Sequence, residues 1–289
     1  MDSEEPSAVG AGPQDAWSHR QQGHGRSTAQ KKGYSLKGNR KRFTGPPHPD
    51  RDTQFEYLGK QKQAFLDAGE PVVSVDTKKK ELIGNFKNAG RTWCTVPEDV
   101  NTHDFPSDAK CRAVPYGVYD LAKNRGFVTI GTSADTPEFA VDSLARWWRE
   151  DGTKRYPDAT RLLILADTGG SNSARSRVFK QRIQEKVADS YGLTVTICHY
   201  PAGASKWNPV EHRLFSFVSM NWAGEPLRTL KGMAARIRGT VTDAGLRIRA
   251  AVTRKTYPKG VTVSDDEMDQ LQLQRHRVCP DWNYTISPR

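Results

Sequence analysis

Long apolar runs are absent. Nowhere do eighteen consecutive apolar residues occur, so no segment reads as a membrane-spanning helix. The amino terminus, MDSEEPSAVG, lacks the basic and then apolar blocks of a secretory leader, and the chain is expected to be cytoplasmic. Cysteine is scarce and scattered: Cys94, Cys111, Cys198 and Cys279 include no C-x-x-C pair, which argues against a zinc module and a dense disulfide framework. The four read as small buried apolar residues. There is no internal repeat. Large apolar residues are few in residues 1–50, where Gly, Ser, Gln, Pro and charge dominate, and such a stretch cannot bury enough surface to offset its ordering entropy. It reads as disordered. Acids are missing altogether from Trp17 to Arg42, a span with eight basic residues that include Arg40, Lys41 and Arg42. That span is a candidate phosphate-binding arm, with a solvated basic tail as the equal alternative.

What is present is enough for a folded body: 289 residues and 32.3 kDa, with 36% hydrophobic residues to supply a core. Lys plus Arg number 44 against 33 Asp plus Glu, giving a net charge of +11 and a pI near 9.5. Such a balance favours a polyanionic partner, either nucleic acid or an anionic membrane surface. With no span and no leader, nucleic acid is the stronger expectation.

Hydrophobic periodicity divides the rest of the chain. Phe55, Leu58, Phe65 and Leu66 predict a helix from about Gln54 to a glycine stop. The period then changes. Residues 71–76 (PVVSVD), 81–86, 116–121 and 127–131 read as strands, several of them antiparallel neighbours, with a long connection from Lys87 to Pro115. Thr136-Pro137-Glu138 opens a helix whose paired Trp147 and Trp148 belong to the core. Strands at 161–167 and 193–200 then alternate with helices from about Ala174 to Tyr191 and from Pro209. The consecutive apolar residues of LLILA predict a central, doubly covered, parallel strand. The whole is an α/β mixed sheet with flanking helices. Beyond Trp222 the chain is polar and basic, with a capping box at Ser264 and Glu267 for one last short helix. The expected division is therefore a disordered basic segment over 1–50, a catalytic domain over 51–225, and a basic carboxyl-terminal extension over 226–289 packed on or following it.

Three carboxylates stand where chemistry is placed in such folds. Asp76 ends a hydrophobic strand, although an Asp there commonly just accepts turn hydrogen bonds. Asp167 ends a second buried strand before Thr168-Gly169-Gly170, at the strand end where ligands of open α/β sheets gather. Glu211 follows Asn208, a natural N-cap, and Pro209, a natural first helical residue. It closes an Asn-x-x-Glu variant of the capping box, or it faces the sheet edge on the same helical side as Phe215 and Val218. Three such acids repel one another unless cations intervene, and as oxygen donors they suit Mg²⁺ or Mn²⁺. Two ions about 3.5–4 Å apart would serve an in-line phosphoryl displacement. Asp120 and Asp135 are spare acids for the same neighbourhood, whereas His199 and His212 read as structural.

The segments GYSLKGNRKRFTG, PVVSVDTKKKELIGNFKN, AVPYGVYDL, LLILADTGGSNSARSRVFK, HYPAGASKWNPVEHRLFSF and YPKGVTVSDDEMDQL resemble the Rhodopirellula-type DDE transposase family of bacterial insertion sequences, over roughly residues 33–289. The resemblance implies a ribonuclease-H-like fold with the first and fourth strands side by side, each bearing an aspartate. It implies Asp76, Asp167 and Glu211 as catalytic, metal-holding residues using two Mg²⁺ or Mn²⁺ ions. It also implies nicking of double-stranded DNA at transposon ends, then attack of the freed 3′-hydroxyl on target DNA, by a homodimer or higher oligomer associated with the nucleoid. Lys78, Lys79, Lys80, Lys206 and Trp207 are the candidate DNA contacts beside the acids, with a solvated charge run as the plainer reading of the lysine triplet. Family members carry an additional N-terminal helical region that recognises the ends, which the residues before 33 do not resemble. The family's GGGSN and PPGTSKWN also read Thr168-Gly169-Gly170-Ser171-Asn172 and Pro201-Ala202-Gly203-Ala204 onward here. Two alternatives stay open: a remnant that binds DNA without productive catalysis, and a ribonuclease-H-like nuclease without strand transfer.

Overall fold

Valine-rich β1 (Val72–Thr77) organises the structure, a computed structural model that describes residues 48–289. On one side β1 pairs in parallel with β5 (Arg161–Asp167), and on the other it pairs antiparallel with β3 (Cys111–Asp120). A three-residue β2 (Glu81–Ile83) pairs only with β3 and stands off the main path. With β4 (Arg125–Gly131) beyond β3 and β6 (Thr194–Tyr200) beyond β5, the central order is β4-β3-β1-β5-β6. Leaving β2 aside, the first and fourth strands lie side by side, which is the ribonuclease-H-like arrangement.

Both faces of this sheet are covered, so β5 is apolar on consecutive residues and β1 is buried on each of Val72 to Val75. Helix α1 (Arg51–Asp67) lays Leu58 and Phe65 on Val72, Leu163 and Leu165. On the opposite face α2 (Pro137–Trp147) and α3 (Arg177–Ile183) cover Val73, Val75, Ile164 and Ala166 with Phe139, Leu144, Trp147, Phe179 and Ile183. Thr136 caps α2, accepting from the Phe139 N–H, and Trp147 and Trp148 are core residues. Back on the α1 side, a helical segment from Pro209 passes through a π turn (Glu211–Phe215) into α4 (Ser216–Asn221) and packs beside α5 (Leu230–Arg238).

The carboxyl-terminal third contributes more structure than its polarity predicts. Strand β7 (Arg247–Val252) extends the sheet in parallel beyond β4, and β9 (Asn283–Ile286) runs antiparallel between β6 and β8 (Leu273–Arg275). Residues 51–225 and 226–289 thus share one sheet, and the described residues form a single compact unit. The one helix expected there, α6 (Asp265–Asp269), is present with both halves of its Ser264–Glu267 capping box. The cysteines differ from expectation: Cys198 is buried, Cys111 and Cys279 are partly exposed, and Cys94 is exposed on the connection before β3. No helix among the described residues is long and apolar enough to cross a membrane. Residues 1–47, which hold Arg40, Lys41 and Arg42, lie outside the described residues.

Candidate active site

Strand register brings the two aspartates together. In the parallel β1–β5 ladder Val75 pairs with Ala166, so the next residues, Asp76 and Asp167, stand abreast at the carboxyl ends of both strands. Side chains alternate along a strand. Val75 and Ala166 face the core under α2 and α3, and Asp76 and Asp167 therefore face the other way, toward the Pro209 helix. Glu211 opens the π turn of that helix, and its carboxyl group lies close enough to Asp76 to help raise it. All three carboxylates are partly exposed.

Electrostatics follows from this crowding. Asp76 is pushed up to about 8, first by burial, then by the Asp167 charge and the hydrogen bond with Glu211; the Thr77 N–H, 2.7 Å from Asp76 Oδ1, works against the rise. Asp167 is also raised by burial and by Glu211, and is held back by a hydrogen bond from Asn208. Raised to about 8, the Asp76 carboxyl keeps its proton near neutral pH in the metal-free protein. Among the described residues no three His, Cys, Asp or Glu side chains are already spaced to enclose an ion. The donor set nevertheless suits a hard divalent cation: three oxygen ligands whose mutual repulsion is relieved only by a proton or a cation.

The capping expected of Asn208 takes another form. Its side chain points into the sheet, fully buried, and donates to Asp167 Oδ1 at 3.1 Å. The helix N-terminus is instead capped from β1, where Ser74 Oγ accepts from the Val210 N–H at 3.0 Å. Glu211 is engaged with Asp76, and the Asn-x-x-Glu box is not formed by these side chains.

Other expected residues separate clearly. Asp135 accepts from Thr77 Oγ1 at 3.1 Å, next along β1 from Asp76 and turned toward the opposite face of the sheet. Asp120 does not belong to the site: antiparallel pairing puts it opposite Val73, at the far end of β1, where Tyr156 and the Lys123 N–H satisfy it. Buried His199 meets the Asp167 carbonyl through Nδ1 at 3.0 Å. A carbonyl only accepts, so Nδ1 carries the proton and Nε2 faces the Tyr284 hydroxyl. Burial brings His199 down to about 4, which keeps it neutral and structural. Exposed His212 contacts the Lys206 carbonyl.

Of the lysine triplet, Lys78 is folded inward, 2.6 Å from Glu81 and over the Trp222 ring, whereas Lys79 and Lys80 are exposed. Trp207 is 42% exposed, with Lys206 Nζ 4.0 Å and Arg51 4.9 Å from its ring centroid and Phe55 at its edge. Arg51 and the buried Gln54, which is hydrogen-bonded to Asn283 and the His199 carbonyl, escaped the sequence reading. Their partners are far away in sequence, and no local pattern signals them.

The Mos1 transposase paired-end complex with left transposon end matches at a TM-score of 0.46 and 12% identity, over 80% of this chain and 71% of that one. The Mos1 Strand Transfer Complex matches at a TM-score of 0.46 and 15% identity, over 73% of this chain and 59% of that one. No curated protein matches the sequence. At the level of sequence families, the Rhodopirellula transposase DDE domain matches residues 23–288, beginning ten residues before the resemblance read from the motifs. The chain belongs to that family and is a DDE transposase.

Proposed function

We propose that Asp76, Asp167 and Glu211 are the catalytic carboxylates and that the chain nicks double-stranded DNA at transposon ends, then joins the freed 3′-hydroxyl to target DNA. The observation that carries this reading is the β1–β5 register, which sets two aspartates abreast, both raised by the helix-borne Glu211. These three side chains would hold two Mg²⁺ or Mn²⁺ ions. When bound, such ions activate the attacking oxygen and stabilise the leaving oxygen of a phosphodiester. The protein's part is placement. The Thr77 N–H fixes one oxygen of Asp76, Asn208 fixes one of Asp167, and the Asp76 proton must leave before that carboxylate can act as a ligand.

Lys79, Lys80, Lys206 and Trp207 would line the DNA path, together with Arg40, Lys41 and Arg42 of the amino-terminal segment. Lys78 is assigned instead to the protein's own ion pair with Glu81. The chain would act on the DNA as a homodimer or higher oligomer. The test is cleavage and joining of DNA carrying the flanking element's ends, in Mg²⁺ and in Mn²⁺, for the wild type beside Asp167→Asn. Metal-dependent products lost in the variant support the reading; binding without cleavage in either metal would sink it in favour of a DNA-binding remnant. A preformed 3′-hydroxyl end that is never joined would leave a nuclease alone.

A further inference from the structure

We propose that Ser74 and Asn208 form a positioning relay that sets how Asp167 presents its oxygens. The proposal rests on the reading of Asp76, Asp167 and Glu211 as the metal-holding set. Both relay residues are fully buried, and every polar atom of their side chains is used. The chain of donors has only one direction. The Val210 N–H can only donate, and it does so to Ser74 Oγ at 3.0 Å. Ser74 then gives its own proton to Asn208 Oδ1. That places the Asn208 NH₂ toward the Val75 carbonyl at 3.4 Å and Asp167 Oδ1 at 3.1 Å, two acceptors that match its two protons. The flipped amide would aim its oxygen at both acceptors, so the orientation is determined by the network rather than assumed.

The consequence falls on Asp167. One oxygen is fixed as an acceptor from Asn208, which stops the carboxylate from rotating and leaves Oδ2 as the oxygen offered to a cation. Ser74 touches no carboxylate, yet it shares the strand face of Asp76 and caps the helix that carries Glu211. One hydroxyl thus links the elements that bear all three acids.

Two measurements on the full chain test the relay. In the first, Mn²⁺ binding is followed by calorimetry for the wild type, Ser74→Ala, Asn208→Ala and the double variant, with folding checked by circular dichroism. Removal of such outer partners weakens metal binding by roughly 10- to 100-fold. Both single variants are expected to fall in that range, and the double variant to be no weaker than Asn208→Ala, because Ser74 acts through Asn208. Wild-type affinity in Asn208→Ala, or additive losses, overturns the proposal. The second measurement needs no metal: side-chain amide exchange of Asn208 in ¹⁵N-asparagine-labelled protein should be slow in the wild type and faster in Ser74→Ala. Exchange as fast as that of an exposed asparagine in the wild type overturns the relay. Slow exchange in a wild type that binds no Mn²⁺ would instead overturn the metal reading and leave the hydrogen-bond chain standing.

Discussion

Asp76 and Asp167 stand abreast at the carboxyl ends of neighbouring parallel strands, and the Glu211 carboxyl on the facing helix helps to raise Asp76. The proton that Asp76 holds gives the metal-free protein a pH dependence with a definite sign. Asp76 sits at about 8 when folded, whereas an unfolded aspartate titrates near ~3.9. Between these values the folded state holds a proton that the unfolded state has released, so rising pH favours unfolding. His199 acts oppositely, but only from about 4 up to its unfolded value near ~6.5. Above that, between about pH 6.5 and 8, the Tm of the metal-free protein should therefore fall. Asp76→Asn should remove most of that slope while abolishing cleavage. A thermal scan series giving the same slope in both proteins would refute the proton held by Asp76.

Gly117 pairs with Asp76 across β1 and β3, and a Cβ there would meet the Phe215 ring at 2.6 Å. Phe215 closes the π turn that Glu211 opens. Gly117→Ala should thus push the turn away from the strand, at a cost of about 1–3 kcal/mol in stability. It should lower cleavage more than DNA binding. Equal losses in both, measured side by side, would mean that the turn does not move Glu211.

The lysines next to Asp76 should behave differently from one another. Lys79→Ala with Lys80→Ala should weaken DNA binding and flatten its dependence on salt by up to about 0.9 for each phosphate no longer neutralised. Lys78→Ala should leave that slope unchanged, because Lys78 is bound to Glu81 and covered by Trp222, and should lower Tm instead. A reduced slope in the Lys78 variant would contradict the ion pair as its main role.

Trp207 is exposed beside two cations near the end of the Glu211 helix. If it stacks on a base, Trp207→Ala should cost about 1–3 kcal/mol of affinity for single-stranded or frayed DNA, with little effect on unfolding. Titration with duplex and single-stranded oligonucleotides checks this, and unchanged affinity for both would exclude stacking.

Gln54 and Asn283 exchange hydrogen bonds in the buried seam between α1 and β9. Gln54→Ala deprives the Asn283 amide of that partner and should destabilise the fold by about 1–3 kcal/mol. Denaturant unfolding at equilibrium measures it; a loss below about 0.5 kcal/mol would show that water replaces the missing side chain.

Much of the fold was legible because the central strands announce themselves. LLILA is apolar on consecutive residues, and VVSV is so but for Ser74, because helices cover both faces, and Thr136 and Ser264 mark helix starts with side chains that do cap. Strand β7 was not legible. Its Arg247-Ile248-Arg249 alternation buries one residue between two exposed arginines at the sheet edge, and β9 is four residues long. Polar edge strands and short strands draw their stability from the neighbour they pair with, and a local pattern does not name that neighbour.

The same division runs through the site. The sequence by itself determined which acids end strands and which opens a helix, through hydrophobic runs and the Asn208-Pro209 start, and it carried the family match. Only the tertiary structure decided that Asp120 lies at the wrong end of β1, that Lys78 turns inward, and that Asn208 serves Asp167 rather than its own helix. The reason is physical: strand register and buried hydrogen-bond partners depend on residues far apart along the chain, which local propensity does not encode.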